Sequence, residues 1–202
     1  VEATEIDVAT KTAGRILEVL ANEGDFVTAG QVLAQMDTAV LSAQRREAEA
    51  ELRRAKTTVE TAHSTVKQRE SEKAATEAVV AQREAELDLA NRNFARSEQL
   101  VESRAISKEE FDTSKATLYS AKAALSRAHA DVAAGDAAIS TAKSEVIASE
   151  ASVLAAQATI ERIQADIDDS TLKSPRDGRV QYRISQPGEV LSTGGKVLNL
   201  VD

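Results

Sequence analysis

The chain has 202 residues with no cysteine or tryptophan, and it carries a formal net charge of −8. The acidic balance disfavours nucleic acid as a partner, because phosphate contacts require clustered cations. The lack of cysteine excludes disulfides and thiol chemistry. Two tyrosines and three phenylalanines are too few bulky side chains for the thick core of one compact globule. No run approaches the roughly 18 apolar residues of a membrane span.

The first 37 residues contain short apolar segments separated by glycine-containing turns. Gly24 follows Asn22 and Glu23, and Gly30 precedes an apolar segment that begins at Val32. Glycine at such points is typical of turns that require a positive φ. The pattern predicts short β-strands that cannot bury the face of a sheet without a partner.

A long helix is predicted from residue 38 to about residue 102, with Asp37 or Thr38 as its N-cap. Large apolar residues recur there every seven positions, which is typical of a coiled-coil seam. Lys73 is the one polar member of the series, and Arg69 and Arg83 occupy other core positions. The middle third of the seam is therefore predicted to be its least stable part. The apolar members are Leu52, Val59, Val66, Val80, Leu87, Phe94 and Val101.

A second helix is predicted over residues 107–169, after a tip at 103–106. Ser107 and Glu110 have the spacing of a capping box, and Pro175 lies beyond the predicted end of the helix. At ~1.5 Å per residue, each helix would be roughly 90–100 Å long. The seven-residue series of this helix is unbroken. Its members are Phe111, Leu118, Leu125, Val132, Ile139, Val146, Val153, Ile160 and Ile167.

The two series predict an antiparallel hairpin with a defined register. If Arg104 lies at the turn, residues at equal distances before and after it face each other. Leu87 then faces Ala121, and in nearly every layer a large residue opposes a small one, which fills the seam evenly. Lys73 would face Gly135, whose missing side chain leaves space for the lysine stem to reach water.

The segment after the second helix repeats the segment before the first. Residues 178–194 align with residues 14–30 without a gap. The shared residues are Gly14, Arg15, Gly24 and Gly30 in the first copy and Gly178, Arg179, Gly188 and Gly194 in the second. Because neither copy can bury a sheet face alone, the repeat predicts one small flattened β-sandwich built from both. The predicted fold class is α+β, with a long antiparallel two-helix coiled-coil hairpin inserted between the two halves of the sandwich.

The two halves resemble the split lipoyl-type domain of the HlyD-type membrane fusion proteins, the periplasmic adaptors of tripartite, TolC-dependent efflux and secretion systems. The matching segments are residues 13–16, 23–27, 30–33, 174–180 and 187–191. The resemblance assigns residues 1–37 and 171–202 to the two halves of a lipoyl-like domain. It assigns residues 38–170 to the α-helical hairpin that these adaptors insert between those halves.

A second part of the resemblance lies at the tip. Arg96, Leu100 and Ser107 fit the Arg-x3-Leu-x6-Ser pattern that is associated in this family with docking onto a TolC-like outer-membrane channel. The resemblance implies a non-catalytic adaptor without a cofactor in the periplasm of a Gram-negative bacterium, joining an inner-membrane transporter to that channel. It also implies self-association into a ring, as a hexamer. Finally, it implies that a β-barrel, a membrane association and most of the transporter contacts lie outside this segment.

Other functions have less support in the sequence. A lipoyl or biotinyl carrier would present a lysine on the turn after Met36 and Asp37, but the next lysine is Lys56, inside the first helix. Catalysis and metal binding have little support, because His63 and His129 do not face each other and no nucleophile–base pair is apparent. The remaining alternative is a structural coiled-coil spacer or scaffold, for which changes at the tip would have no effect.

Overall fold

The computed structural model describes residues 5–201, and within that range it contains eight strands and two helices. The first four strands are β1 (Glu5–Ala9), β2 (Gly14–Val19), β3 (Phe26–Val27) and β4 (Val32–Met36). The helices follow as α1 (Ala39–Glu102) and α2 (Lys108–Asp169). The last four strands are β5 (Thr171–Lys173), β6 (Gly178–Arg183), β7 (Val190–Leu191) and β8 (Lys196–Val201).

The chain divides into two compact units. The first contains the strands together with the base of both helices, up to Ala55 and from Ser152 onward. The second contains the distal part of the hairpin, from Lys56 to Ala151. The division between the units therefore lies within the helices and not at the junctions between strands and helices.

The eight strands form two four-stranded sheets that exchange strands between the two halves of the sequence. One sheet has the order β1-β8-β6-β3 and the other the order β5-β4-β2-β7. Each sheet takes two strands from before the helices and two from after them, and replacing every strand by its repeat counterpart converts one sheet into the other. The predicted β-sandwich is confirmed, and neither half forms a sheet by itself.

Equivalent glycines of the two halves adopt the same backbone conformation. Gly24 and Gly188 have φ of 88° and 90°, and Gly30 and Gly194 have φ of 82° and 83°. The Gly24 N–H group donates to the Val180 carbonyl at 2.8 Å, and the Gly188 N–H group donates to the Ile16 carbonyl at the same distance. Each turn is therefore bonded to a strand of the other half, as expected for a true structural repeat.

The core of the sandwich lies between the two sheets and draws on both halves. Val27, Leu33, Val197 and Leu198 have no exposed surface, and Met36 is 2% exposed. Burying a side chain of this size contributes about 1.5–3 kcal/mol. Because each half supplies only part of this core, the sandwich requires residues from both ends of the hairpin insertion.

The first helix begins at a carboxylate that is held in place by the sandwich. Asp37 Oδ1 accepts a hydrogen bond from the Ala39 N–H group at 3.0 Å, and Asp37 Oδ2 accepts one from Arg15 Nη2 at 2.8 Å. The Arg15 guanidinium, followed by the Ala39 N–H group, lowers the pKa of Asp37 below its usual value. The Met36 N–H group donates to the Ser170 carbonyl at 2.9 Å. The start of α1 and the end of α2 are thus joined by the backbone of the same sandwich.

The distal unit is built on the seam that the seven-residue series predicts. Its buried residues include large side chains on α2 and small ones on α1. One layer has the opposite arrangement, with Gly135 on α2 facing Lys73 on α1. A Cβ atom at Gly135 would lie 3.5 Å from both Cβ and Cγ of Lys73. The predicted register is therefore confirmed at this layer. The buried residues are Ala62 and Ala90 on α1 and Leu118, Ala128, Ile139, Ala142, Val146 and Ser149 on α2.

The polar residues of the seam reach solvent and form ion pairs. Lys73 Nζ lies 2.9 Å from Asp136 Oδ1 on the opposite helix and 3.3 Å from Glu77 on its own helix. Asp136, and then Glu77, raises the pKa of Lys73 above its usual value. Arg69 differs from the sequence prediction of a core residue. Its side chain is 45% exposed and pairs with Glu72 on the same helix. A guanidinium stays hydrated at this exposed position, whereas burial inside the seam would remove its hydration at a cost in free energy.

Candidate functional site

The tip of the hairpin begins where α1 ends. The Leu100 carbonyl accepts hydrogen bonds from the Ala105 N–H group at 2.8 Å and from Ser103 Oγ at 2.9 Å. The Arg104 N–H group donates to the Val101 carbonyl at 3.1 Å. These bonds satisfy carbonyl groups that the last turn of a helix otherwise leaves unpaired. The backbone of the tip is therefore ordered by local hydrogen bonds, and the Leu100 side chain remains 37% exposed.

Ser107 begins the second helix. Its Oγ accepts a hydrogen bond from the Glu110 N–H group at 3.1 Å, and its carbonyl accepts one from the Phe111 N–H group at 3.2 Å. This geometry makes Ser107 the N-cap that the sequence spacing predicts. Glu109 and Glu110 occupy the first turn of α2, where negative charge interacts favourably with the helix dipole.

Two contacts hold the helices together just below the tip. The rings of Phe94 and Phe111 have centroids 5.5 Å apart and planes tilted by 34°. Ser97 Oγ and Ser114 Oγ are 3.1 Å apart and hydrogen-bonded. Aromatic pairs of this geometry add about 0.5–1.5 kcal/mol beyond the surface that they bury. These contacts fix the two helices against each other directly below the tip residues.

Arg96 is exposed on α1, four residues before Leu100. Residues at this spacing lie on one face of a helix, so the two side chains are neighbours on the surface of the tip. Arg92, one turn earlier, pairs with Asp88 on its own helix. Within residues 5–201 the Arg96 guanidinium has no ion-pair partner. The structure thus presents a cation and an apolar side chain together before the turn and Ser107 after it.

Among residues 5–201, no three histidine or acidic side chains are grouped so that they could hold a metal ion. No helix in the same range combines the length and apolar character that crossing a membrane requires. The exposed groups at the tip are suited to contacts with another surface.

The profile of the EMRA alpha-helical hairpin domain family matches residues 46–162, more than half of the chain. The chain belongs to this family. The predicted membership of the membrane fusion protein, or periplasmic adaptor, family is confirmed, and adaptors of this family are generally non-catalytic. The predicted fold class is likewise confirmed by the family match and by solved adaptor structures.

One curated relative and two solved structures are similar to the chain over nearly its full length. A UPF0194 membrane protein of Citrobacter koseri is 30% identical over 200 residues, which cover 99% of this chain and 59% of the relative. The structure of the periplasmic adaptor protein EmrA has 18% identity and a TM-score of 0.55, over 98% of this chain and 72% of EmrA. The soluble domain of LipC, a membrane fusion protein of a type I secretion system, has 11% identity and a TM-score of 0.52, over 98% of this chain and all of that domain. The two solved structures show a shared fold.

One tip residue was missed as a functional candidate by the sequence reasoning. Arg104 was used only to locate the turn, yet its backbone conformation is unusual among the described residues. No local signal in the sequence marks this conformation, because helix ends of this kind usually have glycine or asparagine at such a position. The roles of Arg96, Leu100 and Ser107 in binding a partner stay predictions.

Proposed function

We propose that this adaptor bridges an inner-membrane transporter and a TolC-like outer-membrane channel in the periplasm of a Gram-negative bacterium. The export would be drug efflux or type I-like secretion, and the adaptor's part in it would be geometric and non-catalytic. The tip of the hairpin would contact the channel, and the sandwich would hold neighbouring copies side by side.

The exposed, unpaired groups at the tip carry this proposal. Arg96 has no ion-pair partner within residues 5–201, and Leu100 keeps 37% of its surface exposed beside it. A guanidinium offers planar donors for carboxylate or carbonyl oxygens, and an adjacent apolar side chain adds burial on contact. Ser107 also caps α2, so its hydroxyl has a structural role whether or not it touches a partner.

We further propose that the sandwich mediates assembly into a ring, as a hexamer. Support comes from the strands β3 and β7, which lie at the edges of the two sheets. Phe26 on β3 is 65% exposed and Val190 on β7 is 75% exposed, and the two residues are equivalent in the repeat. Exposed apolar residues at sheet edges favour contacts between subunits. In a ring, several weak tip contacts would strengthen binding together, because binding of one tip raises the effective concentration of the other tips at the channel.

A cysteine cross-link tests the channel contact, since the described chain has no native cysteine. Glu102→Cys in the full-length protein places a thiol at the end of α1, and any cysteine outside these 202 residues would first be replaced by serine. Cells that also contain the TolC-like channel would be treated with a thiol-to-amine cross-linker. We expect a specific adduct with the channel, which is lost on Arg96→Asp or Leu100→Asp.

Matched controls separate the tip from general effects of charge and polarity. Arg127→Asp reverses an exposed arginine on α2, and Leu89→Asp replaces a leucine on α1 that is 60% exposed. Both controls should retain the adduct. If no tip position gives an adduct while export continues, the hairpin acts as a structural spacer and the docking proposal is wrong.

A further inference from the structure

The apex of the hairpin contains an arginine in a conformation that normally belongs to glycine. Arg104 has φ of 59°, and it is the one non-glycine residue with a positive φ within residues 5–201. Four glycines share that sign of φ. A side chain in this left-handed region costs free energy that glycine avoids.

The hydrogen bonds around Arg104 identify the motif. The Ala105 N–H group donates to the Leu100 carbonyl, and the Arg104 N–H group donates to the Val101 carbonyl. Together they form the Schellman motif that commonly ends helices, with Arg104 at the position where glycine is usual. The motif itself therefore gives no reason for an arginine at this position.

The two hydrogen bonds hold the backbone in this conformation, but they do so equally well with glycine, so they do not offset the added cost of the side chain. The Arg104 side chain is exposed, and its guanidinium has no ion-pair partner among residues 5–201. Strained residues persist where the surrounding structure fixes them, and they are concentrated at functional sites. The position lies between Leu100 and Ser107, the two residues of the tip pattern that flank the turn.

We propose that Arg104 is a contact residue that presents a guanidinium from the apex to carboxylate or carbonyl oxygens on the outer-membrane channel. This inference rests on the proposed function, since it names a further residue of the same tip contact. Charge-assisted hydrogen bonds from arginine are strong and directional. The positive φ of Arg104 lowers the local stability of the apex, and the side chain places a cation at the turn between the helices.

The decisive variant is Arg104→Gly, which relieves the strained backbone and removes the cation. Binding of the full-length adaptor to the purified channel would be measured at low surface density, to limit avidity. We expect Arg104→Gly to weaken binding by about tenfold, the effect of one lost charge-assisted hydrogen bond. Arg104→Lys keeps the charge, and its affinity for the channel should lie between those of the wild type and Arg104→Gly. Amide hydrogen exchange of residues 100–108 should be slower in Arg104→Gly, because its tip is more stable.

The outcomes separate this inference from the function on which it rests. If Arg104→Gly binds as well as the wild type while Arg96→Asp and Leu100→Asp lose binding, Arg104 is not a contact residue and the channel proposal stands. If exchange at the tip becomes faster in Arg104→Gly, the arginine stabilises the turn and the inference is wrong. If the wild type does not bind the channel, both proposals fail together.

Discussion

Gly135 is the one glycine inside either helix, and we predict that replacing it with alanine stabilises the hairpin. A Cβ atom at this position would lie 3.5 Å from Cβ and Cγ of Lys73 and 3.7 Å from its Cα. These are ordinary van der Waals distances, so the methyl group fits without a shift. Glycine in a helix interior is about 0.8–1 kcal/mol less favourable than alanine. Gly135→Ala should therefore raise the free energy of unfolding by about 1 kcal/mol.

The neighbouring Ala134 provides a matched control. It is exposed on the same turn of α2, and adjacent helical residues do not face each other. Ala134→Gly should lower the free energy of unfolding by about 1 kcal/mol. The double variant, Ala134→Gly with Gly135→Ala, should return close to the wild type.

Urea unfolding followed by far-UV circular dichroism would measure the global effect in each variant. Amide hydrogen exchange of residues 128–142 would measure the local effect, which matters if the two units unfold separately. A decrease in stability for Gly135→Ala would refute the reasoning. It would mean that the Lys73 stem needs the space that the glycine leaves, as the sequence alone suggests.

Three further changes test other parts of the chain. Leu198→Ala empties a fully buried site in the sandwich and should lower the free energy of unfolding by about 2–5 kcal/mol, measured by urea titration. Ser107→Ala removes the acceptor of the Glu110 N–H group. It should cost about 1 kcal/mol and speed amide exchange in the first turn of α2, whereas Ser107→Asp should retain the cap. Asp37→Asn removes the charge that pairs with Arg15. Because this pairing lowers the pKa of Asp37, the wild type's advantage should be complete above about pH 4 and should disappear as the pH falls through the folded-state pKa. Acid titrations of both proteins would check this, and a difference that is constant down to about pH 2 would contradict it.

The seven-residue series predicted the helical hairpin well because its signal accumulates over many turns. Each added layer repeats the same spacing, so single exceptions such as Lys73 do not obscure the pattern. The opposition of large and small residues then indicated a register, which the contact of Lys73 with Gly135 confirms. The ion pair between Lys73 and Asp136 was not predicted, since Asp136 looks like any other solvated acidic residue of a long helix.

The pairing of strands in the sandwich was harder to predict from the sequence than the hairpin. The repeat showed that both halves have similar strands, but similarity does not say which strands pair. The structure places β8 between β1 and β6, and β4 between β5 and β2. Two of these pairings, β1 with β8 and β4 with β5, join strands on opposite sides of the helices, so local propensity contains little information about them.

At the tip, sequence reasoning found side chains but not backbone strain. The capping spacing identified Ser107, and the family resemblance identified Arg96 and Leu100. The left-handed conformation of Arg104 has no local signature, because sequence rules place glycine or asparagine at such positions. The geometry of the Schellman motif was needed to reveal it.

The two helices of the distal unit bury side chains of different sizes. The buried residues of α1 are the small side chains Ala62 and Ala90, whereas α2 buries large ones such as Leu118. Arg96 and Leu100, the proposed contact residues, both lie on α1. Because neither is buried, replacing them leaves no cavity of the kind that makes core substitutions costly. If the hairpin is a docking arm, Arg96→Asp and Leu100→Asp should therefore abolish channel contact while helical content is kept. If the hairpin is a spacer, the same substitutions should have no effect.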